Sequence, residues 1–103
     1  MTLDILARMG GGQDLPIRAT IAAPEPQADG SAICRLTIAP LEKQPLDVRG
    51  VDSFHAVWLA CGLVLKLLTH LRSAGAELRA ADGSAFPLDA YLAGLDEGAK
   101  KSG

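Results

Sequence analysis

The N-terminal half of the chain alternates apolar and polar residues, and the pattern then changes to a helical period. From Thr2 to Met9, Leu3, Ile5 and Ala7 fall on one side of an extended chain, with Asp4, Leu6 and Arg8 on the other. The same period of two recurs at Leu15 to Ala23, with Ile17, Ala19 and Ile21 against Arg18, Thr20 and Ala22. It returns at Ala32 to Ala39, where Cys34, Leu36 and Ile38 oppose Ile33, Arg35 and Thr37, and more briefly at Pro45 to Arg49. Each stretch predicts a strand. The glycine run of residues 10–12 predicts a hairpin loop, and PEPQADGS, residues 24–31, a surface loop.

Val51 to Ala74 reads VDSFHAVWLACGLVLKLLTHLRSA and predicts the one long helix. Asp52 or Ser53 can cap its start, and Gly75 can take the left-handed position after its end. At about 100° per residue its apolar positions cover more than half the circumference, wider than a one-sided surface helix needs. His55, Gly62, Lys66, Thr69 and Ser73 share the polar strip, bordered by Leu59 and Leu63. Glu77 to Ala81 predicts a last short strand closing on Asp82-Gly83. Phe86-Pro87 is expected to fold back onto the core, and Leu88 to Leu95 to form a short helix. The expectation is a single α+β domain over residues 1–95, with a flexible tail at 96–103. It has two layers: an antiparallel sheet of about four or five strands packed on one central helix, and a short C-terminal helix.

Composition narrows the function. Acids outnumber bases 12 to 10, and each half of the chain holds six acids and five bases. No basic stripe exists, and only Phe54, Trp58, Phe86 and Tyr91 are aromatic, so nucleic-acid binding is not expected. A membrane span is not expected either, because the uninterrupted apolar run is only Ala56 to Leu65, between His55 and Lys66. Cys34 and Cys61 make no disulfide framework and are expected as reduced, buried thiols. No signal peptide is visible. These features predict a cytoplasmic protein, and the Ala, Leu, Arg and Gly usage points to a bacterium.

With its residues laid out this way, the chain resembles a family of short bacterial proteins known only as a domain of unknown function. The similarity rests on Leu6-Ala7-Arg8, Ile21-Ala22-Ala23-Pro24, Cys34, the segment Val48 to Leu59 (VRGVDSFHAVWL), and Leu78 with Asp82-Gly83. It spans most of residues 5–87 and departs at Arg79 to Ala81, where the family carries an aromatic beside the Asp-Gly pair. The resemblance implies a fold and no chemistry.

No catalytic constellation, metal-ligand set or cofactor motif is found in the sequence. His55 and His70 are fifteen residues apart, about 22 Å along a helix, so they cannot share a metal. His55 with Asp52 is an i, i+3 pair at a helix start. It carries the alternative reading, a small enzyme or anion- or metabolite-binding protein using the helix N-terminus. Gly10-Gly11-Gly12 lacks the Lys-Ser/Thr of a phosphate loop. Trp58 is by default a core anchor, yet with Leu59 and Leu63 it is also what an interface uses. Gly62 costs a helix about 1 kcal/mol relative to Ala, which close approach of a strand or of a partner's helix would explain. The first expectation is therefore a non-enzymatic protein-interaction domain, with Trp58, Leu59 and Leu63 as interface residues. One form of it is a homodimer built through the helix or a sheet edge.

Overall fold

The computed structural model describes residues 1–93 and shows an α+β fold, with an antiparallel sheet, one long helix and a short helix near the C-terminus. The strands are β1 (Thr2–Arg8), β2 (Asp14–Ile21), β3 (Glu25–Pro26), β4 (Ala32–Ala39), β5 (Leu46–Gly50) and β6 (Glu77–Ala80), with α1 (Ser53–Ser73) between β5 and β6. Residues 88–93 are helical; the expected end of that helix at Leu95 and the expected tail at 96–103 lie outside the described residues.

The loop expected over residues 24–31 is shorter than predicted, because Glu25 and Pro26 pair with Ile33 and Ala32. β5 already occupies one edge of β4 along Ala32 to Leu36, so β3 must lie on the edge that β2 uses. The register moves by one between Ile21↔Leu36 and Glu25↔Ile33, so β3 continues β2 past one extra residue, a bulge. Counted by position, five places run β5-β4-β2/β3-β1-β6. Consecutive strands up to β5 are neighbours, and α1 then carries the chain from one edge of the sheet to the other.

Alternation decides which face is buried. Ile5, Ala7, Ile17, Ala19, Ile21, Cys34, Leu36, Ile38, Val48 and Leu78 join Ala56, Ala60, Val64 and Leu68 of α1 in one core, completed by Phe86 and Leu88. The helix residues are spaced by four, a single line along α1. Helix α1 contacts β4 and β5 above all, and β2 and β6 less. Gly50 permits the close approach. A Cβ there would fall on the backbone of α1's first turn, inside contact distance of Ala56 N and 2.7 Å from Ala56 Cα and His55 C.

The opposite face is polar and pins the register. Asp4 faces Arg18 (2.7 Å), Arg8 faces Asp14 (3.0 Å) and Arg35 faces Asp47 (3.1 Å), each pair directly opposite on neighbouring strands. A slip of one residue would turn the core set outward. A slip of four between β1 and β2 would set Asp4 against Asp14, or Arg8 against Arg18. Two turns share the sequence Asp-Gly-Ser and its geometry. Oδ1 of Asp29 accepts from the Ser31 N–H and Oγ–H, and Oδ1 of Asp82 from those of Ser84, with Gly30 and Gly83 at φ of 90° and 89°.

Candidate functional site

The helix N-terminus is the candidate for chemistry, and there one oxygen of Asp52 and one ring nitrogen of His55 are engaged with backbone. Asp52 is the N-cap, and its Oδ1 accepts from the His55 N–H at 2.8 Å. His55 turns back, and its Nδ1 accepts from the Val51 N–H at 3.0 Å. Since a backbone N–H can only donate, Nδ1 is the acceptor nitrogen of that ring. The carboxylate and the imidazole therefore each bind backbone and do not bind each other. This is a variant of the capping box: Asp52 satisfies one donor that the helix start leaves open, and His55 reaches back to the N–H of the residue before the cap. The far end closes as predicted. Gly75 has φ of 101°, its N–H donates to Arg72 O, and the Ala76 N–H donates to Leu71 O. Those two bonds form a Schellman motif.

The outward side of α1 is the second candidate, and here the burial differs from expectation. Trp58 is not a core anchor; it is 51% exposed. Phe54 is 80% exposed and Leu63 41%, while Leu59 is half-buried. The reason is the helical period: with Ala56, Ala60, Val64 and Leu68 turned to the core, Trp58 lies about 140° around the helix from the middle of that line. The three expected interface residues do not form one patch. Trp58 and Leu63 are five residues apart, about 140° around the helix. Trp58 lies on the side of Phe54 and Leu65, and Leu59 with Leu63 lies on the other; His55, Gly62 and Lys66 run between them. Phe54 was not among the expected interface residues. Its place in the first turn, before the first buried alanine, was the available signal.

Gly62 is half-exposed, and a Cβ on it would meet nothing within 4 Å. The expected approach of a strand is therefore absent among the described residues, and its cost of about 1 kcal/mol to the helix has no explanation within them. It borders a shallow groove of about 420 Å³ with Leu65, Lys66, Thr69 and Leu92. The Thr69 hydroxyl donates to Leu65 O at 2.8 Å.

Cys34 is fully buried, with Sγ 3.2 Å from Ala22 O, and burial pushes its thiol pKa up. Cys61 is only half-buried, a departure from expectation. It lines an apolar cleft of about 210 Å³ with Leu3, Ile21, Leu65 and Tyr91, whose ring stacks on Phe86 at 5.2 Å. A depression of about 540 Å³ lies elsewhere on the outer sheet face beside Leu6, Pro16 and Pro40. Its charged groups, Asp4 and Arg18, are bonded to each other. Among the described residues no three His, Cys, Asp or Glu side chains cluster as a metal site would need.

These features define an α+β domain whose distinctive surface, among the described residues, is the side of its central helix that leaves Phe54 and Trp58 exposed. No family model, curated protein or solved structure matches the chain. By length and composition α1 is also apolar enough to cross a membrane, although the line through Ala56, Ala60, Val64 and Leu68 is buried in this fold.

Proposed function

We propose that the protein is a non-enzymatic interaction domain that binds a protein partner through the outward side of α1. One observation carries the reading: Phe54 and Trp58 stand in solvent on a helix whose other side is built into the core. Large aromatics at the centre of a surface are where binding energy concentrates, and the ion-paired sheet face offers no comparable anchor. We read the arrangement as two layers, sheet below and α1 above, with the second layer presenting the contact surface. The balanced charge and scarce aromatics support a protein partner rather than nucleic acid. The buried line of α1 supports a helix lying on its sheet rather than in a membrane, and a cytoplasmic location accords with both. The alternative, an anion or metabolite site at the N-terminus of α1, finds Asp52 and His55 already bound to backbone.

The test is site-specific photo-crosslinking in cells. A photo-reactive phenylalanine analogue at position 58 should yield a defined protein adduct, identified by mass spectrometry. The same group at position 39, on the outer sheet face, should not. Equal labelling from both positions, or none from position 58, would defeat the reading.

A further inference from the structure

We infer that the partner of α1 is a second copy of the same chain, packed antiparallel, with Gly62 of each copy receiving Leu65 of the other. The inference rests on the interaction reading above and specifies its partner and geometry. Trp58, Gly62, Leu65 and Thr69 fall within about 60° of arc, spaced by four, three and four, the seam of a paired helix. A two-fold axis between Leu63 and Val64 sets Trp58 of one copy against Thr69 of the other, and Gly62 against Leu65. That point is within a residue of the middle of Ser53–Ser73, so the two helices overlap along nearly their whole length. One strip thus carries both the hole and the knob, placed symmetrically, which is what an isologous contact requires and an unrelated partner does not.

Three further observations agree. Among the described residues nothing fills the groove beside Gly62 and Leu65, and none comes within 4 Å of a Cβ at Gly62. Antiparallel packing sets the positive end of each helix dipole beside the negative end of the other. A stable pair needs about 800 Å² per partner, of which Phe54 and Trp58 alone supply roughly a third as exposed aromatic surface. The remainder is within reach of two helices about 30 Å long in contact.

The experiment is sedimentation equilibrium on the whole protein from about 1 to about 200 µM, with Trp58 emission, the chain's single Trp, read on the same samples. Mass should double across the range while the emission moves to the blue. Gly62→Leu fills the hole, and should weaken dimerisation by about tenfold or more. The same substitution should raise the melting temperature at low concentration, because the open helix gains a better helix former. Gly62→Ala, the milder variant, should move both readouts in the same directions by less. A strict monomer at the highest concentration overturns the pairing, and so does a dimer that Gly62→Leu leaves intact. If the protein is monomeric yet position 58 crosslinks to a different protein in cells, the self-pairing falls and the interaction reading stands. If position 58 crosslinks to nothing, both fall.

Discussion

The sharpest prediction concerns two glycines that the same substitution should affect with opposite sign. Gly50→Ala adds one methyl at the end of β5, where it meets the first turn of α1: Ala56 N within contact distance, Ala56 Cα and His55 C at 2.7 Å. Ordinary contact begins near 3.4 Å, so α1 would have to retreat by roughly 1 Å. The obstructing atoms are backbone, held by the Asp52 cap, so no side-chain rotation relieves them. Retreat also loosens the line beneath, where Ala56 and Ala60 are fully buried. Overpacking of this kind costs about 1–3 kcal/mol, and a backbone obstacle places Gly50→Ala near the upper end. For a domain of this size that is a loss of about 10–20 °C in Tm.

Gly62→Ala adds the same methyl into open space. Both variants gain the same unfolded-state benefit, about 0.4–1 kcal/mol, so the difference between them isolates the native contact. Urea denaturation followed by circular dichroism and Trp58 emission, at about 1 µM to keep the chains apart, would measure it. Equal stability of Gly50→Ala and the parent would show that α1 does not rest on Gly50, and the fold account above would be wrong at its hinge point. A Gly62→Ala variant destabilised as much as Gly50→Ala would show that something covers Gly62 in the monomer.

Three further outcomes follow from burial, backbone and charge. Leu68→Ala, at a fully buried position under α1, should cost about 2–5 kcal/mol by chemical denaturation, whereas Leu63→Ala, exposed on the same helix, should stay within about 0.5 kcal/mol. Gly75→Ala places a side chain at φ of 101° and breaks the helix stop, so a loss near 1 kcal/mol is expected by the same assay. Asp14 is held below the ordinary carboxylate range by the Arg8 hydrogen bond, and Asp29 and Asp82 by their Ser31 and Ser84 hydrogen bonds. A depressed folded-state pKa contributes stability that is present above the unfolded value near 3.9 and lost as pH falls through the folded one. The urea midpoint should therefore be flat from about pH 7 to 5 and drop below about pH 4, and a midpoint that held steady to pH 2.5 would contradict those bonds.

Much of the fold was legible because its rules are local. Period-two alternation located β1, β2, β4 and β5 to within a residue or two, and the apolar faces it assigned to β1, β2 and β4 are the ones turned to the core. Asp52 and Gly75 marked both ends of α1 because the capping groups are side chains or φ angles that sequence encodes directly. What was not legible depends on distance between elements. The bulge that extends β2 into β3 leaves no mark on alternation, since Pro24 and Pro26 read as loop residues. The Arg–Asp ladder on the outer face needed the register before its partners could be named. The role of His55 was likewise hidden, because an i, i+3 Asp–His spacing is the same for a dyad as for a cap, and only the Val51 N–H distinguishes them.

Trp58 shows why the width of an apolar helix face does not reveal how it is covered. A reading by hydrophobicity ranks Trp, Leu and Phe as core and treats Ala as neutral. The sheet imposes the reverse order: the closer a helix lies, the smaller its inward residues must be. Gly50 lets the first turn of α1 come down onto β5, and that closeness selects Ala56 and Ala60 for the inside. Trp58 then lies about 140° around the helix from the middle of that inward line and Phe54 about 100°, so both project away from the sheet whatever their size. Contact surface and core packing are thus set together by which line of α1 faces the sheet, and that is the physical link between the fold of this chain and the surface through which we expect it to act.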